Sequence, residues 1–360
     1  MKILKITDVY VIRKFLGTYF FTVLLFIAIV AIIDFNVKVD DFITKSVPTS
    51  AIVFDYYLNF TAYVINLISP LLIFIAVIFF TSKLADNSEI IAILSSGISL
   101  NRLMRPYIIS ATLVAIMNFL LSSYVIPPGN IIRIDFENKY IRDRRVIYSA
   151  NIQLEVEPGV TAYFDRFDSD NNTGYRFSLD KFNDKELVSR MIAKTIIYDS
   201  AYHWTAKNYI IRDFVGMKEK ITKGDVIDTT LTIVPSDFMI SANDFEQMTT
   251  TQLKNYIARQ KKRGIGNIQL FEIEYHKRYA IPFASFILTI IGVSVSSRKV
   301  KGGMGLNIGI GFLLSFSYIL FLQISSSLAV NGIVNALIAA WIPNLLYTVI
   351  AALLYRKAPR

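Results

Sequence analysis

The sequence predicts an α-helical polytopic membrane protein, with six transmembrane helices and an inserted all-β, jelly-roll-like domain outside the membrane. Three observations carry that prediction. The 360 residues are 53% hydrophobic and 18% charged, with a mean hydropathy of +0.45, too apolar for an ordinary soluble chain. The apolar residues gather into six runs, each near the ~20 residues needed to cross a bilayer. Between the third and fourth runs lies a long stretch of different texture, rich in β-branched and aromatic residues.

The expected spans are approximately 15–35, 60–82, 104–126, 279–297, 305–328 and 334–355. Pro70 and Pro282 fall within or at the edge of spans, which membrane helices tolerate. The first run follows Lys2, Lys5, Arg13 and Lys14, as the core of a secretory signal would. It is too long for one, and Asp34-Phe-Asn-Val-Lys-Val offers no small-residue cleavage site, so it reads as a retained span. Orientation follows from basic residues close to the span ends. Lys83, Arg102 and Arg105 lie between spans two and three; Arg298, Lys299 and Lys301 between four and five; Arg356, Lys357 and Arg360 close the chain. With the N-terminal cations, these groups share one side if the spans alternate. Both termini are therefore expected in the cytoplasm and the middle segment outside. His276-Lys277-Arg278, at the outer end of span four, runs against the rule, from which long translocated segments largely escape.

In the middle segment, 152–156, 160–167, 175–182, 187–198, 209–215 and 227–234 read as short strands. Glu157-Pro-Gly, Asp170-Asn-Asn-Thr-Gly, Asn183-Asp-Lys, Ala206-Lys-Asn and Lys223-Gly-Asp separate them as turns. Such spacing without helical pattern argues for an antiparallel sandwich or jelly roll. The domains are then 1–127, 128–248 and 249–360. The last opens with an amphipathic helix at 249–263 closed by Gly264. A second helix starts near Asn267 and runs through Glu272, Glu274, His276 and Lys277 into span four.

A catalytic reading has little support. The two histidines, His203 and His276, are far apart and lack metal-ligand spacing. There is no G-x-x-x-x-G-K-[ST] phosphate loop and no G-x-S-x-G elbow, and cysteine is absent. Asp168, Asp170 and Asp180 fit solvated turns better than a site. No catalytic residue, metal ligand or cofactor is expected in this chain. The net charge of +10 lies largely beside apolar runs, so membrane anchoring explains it better than nucleic acid. Energy for any transport must come from another subunit.

Polar residues inside the spans, Asn66, Asn118, Gln323 and Asn344, suit interhelical hydrogen bonds. Gly305-x-x-x-Gly309, with Gly311, suits close helix packing, or a mobile gate between subunits. Asp34, Lys38, Asp40, Asp41 and Lys45 crowd the outer mouth of span one, either as solvated charges or lining the way in for a charged amphiphile. His276, Lys277 and Arg278 at the outer end of span four invite the same two readings. Between spans two and three, 83–106 is too polar to cross a membrane and too patterned for slack loop. Asp86-x-x-Glu89 has the form of a capping box, Ile90, Ile93 and Leu94 share one side, Gly97 is a helix stop, and Ser99 caps the next helix.

These features together resemble the permease family of the lipopolysaccharide-export ABC transporter, LptF/LptG (YjgP/YjgQ). The architecture of three spans, a β domain and three spans covers nearly the whole chain. Leu84-x-Asp86-x-Ser88-Glu89-Ile-x-Ala92-x-x-Ser95-x-Gly97-Ile98-Ser99 is similar to the family's cytoplasmic coupling helix. Glu272-x-Glu274-x-His276-Lys277-Arg278-x-Ala280-x-Pro282-Phe-Ala284, with Ile291-Gly292-Val293, is similar to the start of its fourth span, and 248–264 to the helix before it. The opening Asp8-x-Tyr10-Val-Ile-Arg13-Lys14-Phe slightly favours the LptG-like member.

The resemblance implies a non-enzymatic subunit in the inner membrane of a Gram-negative bacterium. Its partners would be a paired permease of the same family, a cytoplasmic ATPase dimer (LptB-like) that uses ATP and Mg, and periplasmic bridge proteins (LptC-like and LptA-like). The cargo would be lipopolysaccharide, passed on through the β domain. By position, Glu89 would meet the ATPase, with Asp86, Ser88, Ile90 and Gly97 shaping the helix. Asp34, Lys38, Lys45, Lys277 and Arg278 would contact the substrate. Related members often carry a basic residue at the outer end of span one, where this chain has Asp34 with Lys38 one turn later. A competing reading is a membrane scaffold or mechanotransmission protein whose β domain binds a periplasmic partner.

Overall fold

The computed structural model describes residues 5–141, 148–168, 171–184, 186–216, 218–235, 244–262, 268–297 and 303–358. Lys2, Asp170, Lys185, Arg263, Gly264, Asn267, Arg298, Lys299, Lys301 and Arg360, named above, lie outside them. The chain forms two units. One is helical, comprising Met1–Ile141, Glu246–Thr251 and Gln269–Arg360; the other, Arg142–Phe245 and Gln252–Ile268, contains the sheet.

In the helical unit six helices are long and apolar enough to cross a membrane. The helices in the first half are α1 (Ile6–Thr44), α2 (Leu58–Asp86), the short α3 (Glu89–Ser95), α4 (Leu100–Leu120) and α5 (Ile126–Tyr140). Two turns of π-helix modify them. Ala51–Tyr57 leads into α2, and Leu121–Val125 joins α4 to α5. At the second, the Ile126 N–H donates five residues back to Leu121, just before Pro127 and Pro128, which bring no N–H to a regular ladder. The second half holds α7 (Gln269–Ser296), α8 (Gly303–Val330) and α9 (Ala336–Lys357), while α6 (Thr250–Lys262) belongs from Gln252 onward to the second unit. All six expected spans are present, and the first three helical rods run well past the apolar runs that marked them.

Helices α2 and α7 form the centre of this unit. Leu72, Ile73, Phe74, Ala76, Val77 and Ile78 are buried around α2, and Ala284, Leu288, Ile291 and Val293 around α7. Gly292 makes the close approach possible: a Cβ there would lie 2.7 Å from Val77 Cγ1. Gly311 likewise presses against Ile78. Nothing lies within 4 Å of where a Cβ on Gly305 or Gly309 would be, so the close packing expected of that pair falls on Gly311. Gly292→Leu is therefore expected to cost about 1–3 kcal/mol by overpacking, and Gly309→Leu close to nothing. Thermal unfolding of the purified variants in detergent checks both.

Of the polar residues expected to bridge helices, Asn118 donates to Ser69. Asn344 donates to the Ala280 carbonyl (2.7 Å) and accepts from Tyr318 (2.9 Å). Gln323 is instead exposed on α8. Asn307 donating to Ser82 (3.2 Å) is a further bridge, between α8 and α2, not singled out from the sequence.

The second unit holds one antiparallel sheet of β1 (Tyr148–Glu157), β2 (Val160–Asp168), β3 (Thr173–Asn183), β4 (Glu186–Ser200), β5 (His203–Val215) and β6 (Lys218–Thr230), paired in chain order. The inserted all-β domain is as expected. Among the described residues its connections make a meander of hairpins, without the crossed connections that define a jelly roll. Alternation puts one row inward, Ile152–Phe164–Phe177–Ala193–Tyr209–Gly224, paired strand to strand. Trp204 is fully buried against Phe164, Phe167 and Tyr198, and its indole N–H donates to the Ile233 carbonyl (3.1 Å).

Two expected turns are corrected. Ala206-Lys-Asn lies inside β5, because Trp204 and Ala206 point into the core and hold the strand there. Lys223-Gly-Asp lies inside β6: the Tyr209 ring covers Gly224, where a Cβ would sit 2.6 Å from its hydroxyl. The actual β5–β6 turn is at Gly216, with φ +63°.

Candidate functional site

The first group of candidate residues surrounds α3. The expected capping box is not formed. Leu84 and Ala85 pack into the core and carry α2 through Asp86, so Asp86 ends one helix instead of starting the next. Asn87 and Ser88 make the turn, Ser88 in the left-handed region at φ +59°. Glu89 is then the first residue of α3, where a carboxylate suits the positive end of the peptide dipoles. It is half-buried, accepting from the Tyr10 hydroxyl (3.0 Å) and the Asn87 amide (3.3 Å). Ile90 is buried, with Ile93 and Leu94 packed on the same core. The opposite side is open: Ile91, Ala92, Ser95, Ser96 and Gly97 are exposed. Gly97 ends the helix at φ +84°, its N–H donating to Leu94 (3.1 Å). Ser99 caps α4, as the sequence indicated.

Three contacts hold this end together. Arg102 donates to both carboxylate oxygens of Asp8, at 2.8 and 2.5 Å, and Asp8 also accepts from the Lys5 N–H (2.9 Å). Tyr355 on α9 donates to Asn101. The starts of α1 and α4 and the end of α9 thus surround α3, with Val11, Leu84, Ile90, Leu100 and Ala358 in one core cluster. The Asp8–Arg102 pair was missed from sequence. Its only signal was a lone acid among the N-terminal cations.

The other group lies at the far end of α1. Asp34 and Lys38 are paired one turn apart at 2.7 Å. Tyr56 (3.0 Å) and Tyr57 (3.3 Å), from the π turn before α2, donate to the second oxygen of Asp34, and Lys38 also contacts the Tyr56 hydroxyl. The Lys38 ammonium sits over the Tyr56 and Phe60 rings, 4.5 and 5.4 Å from their centres. Lys38 is therefore already enclosed by one carboxylate and an aromatic wall. Lys45, at the end of α1, is exposed.

A further cluster was not foreseen at all. Arg133 on α5 donates to Asn130 (3.1 Å), Glu137 (2.9 Å) and Glu246 (3.0 Å), and stacks at 4.7 Å on the Tyr63 ring. Tyr63 also donates to Glu246 (3.2 Å), and Asn130 to the Glu246 carbonyl (3.1 Å). Asn130, Arg133 and Glu137 are all buried. Burial pushes the Glu246 carboxyl above its ordinary range, opposed by the Arg133 charge. Nearby, Arg278 is buried, donates to Thr250 (3.2 Å) and lies 4.0 Å from Glu274. Lys277 beside it is only half-buried. Arg133 and Arg278 thus grip the short segment Glu246–Thr251 from two sides within the helical unit.

Comparison with known families gives one match over residues 9–357, to a family described as "Lipopolysaccharide export system permease LptF/LptG". No curated protein matches the chain.

Proposed function

Because the chain belongs to the LptF/LptG family of lipopolysaccharide export permeases, we propose a division of labour along its helical unit. A separate cytoplasmic ATPase dimer docks on the open side of α3, and its motion enters this chain through Glu89, Ser88 and the Gly97 turn. The paired permease completes a cavity from which lipopolysaccharide is extracted. The β domain hands the lipid to periplasmic bridge proteins. Both termini and α3 face the cytoplasm, and the β domain faces the periplasm.

The arrangement of α3 supports this reading best. A seven-residue helix with one side locked into the core and the other bare is built to receive a partner. Its ties through Tyr10 to α1, and the neighbouring Asp8–Arg102 clasp to α4, would spread a push on α3 over several spans. Copurification with the family's ATPase, followed by mass spectrometry for bound lipopolysaccharide, tests the assignment. Absence of both ATPase and lipid would refute it.

At the far end, the enclosed Lys38 is the cation we assign to a lipid phosphate, with Asp34 as the counter-ion that holds it until the phosphate arrives. Lys45, Lys277 and Arg278 are the other cations proposed to meet the head group. Lys38→Gln is expected to lower retained lipopolysaccharide by roughly tenfold, the scale of one charge-assisted hydrogen bond. Asp34→Asn is expected to raise it. Retention unchanged in both variants would remove Lys38 from the site.

A further inference from the structure

A groove of about 540 Å³ runs along α1 from Tyr10 to Phe21, and of its lining the transport scheme uses Tyr10 alone. Its upper rim carries Arg13 and Lys14, both exposed. Among the described residues neither has a carboxylate partner; Lys14 lies 6.0 Å from the centre of the Tyr10 ring, its one charge-related contact. Two acids of this end are already engaged, Asp8 by Arg102 and Glu89 by Tyr10 and Asn87. Below the cations the groove is uncharged, and its one hydroxyl there, that of Thr18, donates to the Lys14 carbonyl (2.9 Å). Gly17 leaves its floor open, with nothing within 4 Å of where a Cβ would stand. Phe21 on α1 and Phe79 on α2 form its walls, 67% and 39% exposed.

We propose that this groove binds an anionic phospholipid of the membrane leaflet nearest α3. The chemistry reads from top to bottom. Two uncompensated cations sit at the level where a phosphate group would lie, because helix α1 carries no further charge from Phe15 through Ile33. From Arg13 to Phe21 is eight residues, roughly 12 Å at the helical rise, enough for the first part of an acyl chain. The open Gly17 floor lets that chain lie against the backbone, and the two phenylalanines flank it. A soluble phosphate would use the rim alone and gain nothing from this apolar trough. A zwitterionic lipid would fill the trough and leave the cations unmatched. The groove adjoins Tyr10, whose hydroxyl holds Glu89, so a bound lipid would lie beside the tie between α1 and α3.

The test uses the full chain in nanodiscs of phosphatidylcholine with a minority of phosphatidylglycerol, extracted into mild detergent, with retained lipids counted by native mass spectrometry. Wild type is expected to keep phosphatidylglycerol in preference to phosphatidylcholine. Arg13→Gln/Lys14→Gln should reduce that preference roughly thirtyfold, in line with two cations near an anionic surface. Gly17→Leu, whose Cβ meets no atom within 4 Å and whose side chain would occupy the trough, should reduce retention of both lipids. Lys83→Gln, an exposed cation of the same end outside the groove, should change neither. Adding inorganic phosphate should not displace the lipid. Wild-type retention in both groove variants, or an equal loss in Lys83→Gln, would overturn the proposal. So would displacement by phosphate.

Discussion

Replacing Arg133 by leucine is expected to destabilise the helical unit by about 3–5 kcal/mol, the cost of breaking a buried ion pair from one side. Three groups lose the Arg133 contact at once: Asn130, Glu137 and Glu246. Two of them are carboxylates in a buried place, and water cannot readily replace the guanidinium. The segment Glu246–Thr251 would then be held by Arg278 at Thr250 and by the bonds that Tyr63 and Asn130 donate to Glu246. The loss should also depend on pH. Glu246 already holds its proton more tightly in the folded chain than an ordinary glutamate does, so its contribution favours the fold below the ordinary glutamate range. That contribution fades as pH rises through its raised value. Removing Arg133 takes away the charge opposing that rise and widens the window. Thermal unfolding of Arg133→Leu should therefore improve on moving from pH 7.5 toward pH 5 more than wild type does. Equal stability of the two proteins at neutral pH would show that the cluster carries no such energy.

The second large effect is on transport. Glu89→Lys places a cation at the start of α3, against the peptide dipoles, and loses the acceptor for Tyr10 and Asn87. Gly97→Pro attacks the other end: the φ of +84° at this position is closed to proline, and its N–H bond to Leu94 disappears. Each is expected to abolish stimulation of the ATPase by this subunit and lipid export with it, while membrane insertion continues, because Ile90 and the α2 core are untouched. Export at the wild-type level in both variants would mean that energy enters elsewhere.

What could be read from the sequence divides along physical lines. The spans were legible because a bilayer demands a run of apolar residues whatever the helices pack against. Six strands were legible from their β-branched and aromatic residues, yet Gly224 read as a turn because its reason for being glycine is the Tyr209 ring on the neighbouring strand. The stop at Gly97 was legible since backbone geometry alone requires it. The cap at Asp86 was misread, because burial of Leu84 and Ala85 outweighed a local capping signal. Lys38 could be picked as a candidate but not its enclosure, which depends on two tyrosines brought round by a π turn. Arg133 and Glu246 stand 113 residues apart with no pattern joining them, so only the folded chain brings them together.

The central claim is that ATP used by a partner subunit drives lipopolysaccharide out of a cavity this chain helps to form. It is tested most directly by purifying the full chain with its ATPase and paired permease, reconstituting them in liposomes with lipopolysaccharide, and following the lipid by crosslinking to the periplasmic bridge. Transfer to the bridge should appear with ATP and Mg, stop without ATP, and stop when Glu89 is lysine. Transfer that proceeds equally without ATP, or none from a complex that hydrolyses ATP and holds the lipid, would contradict it.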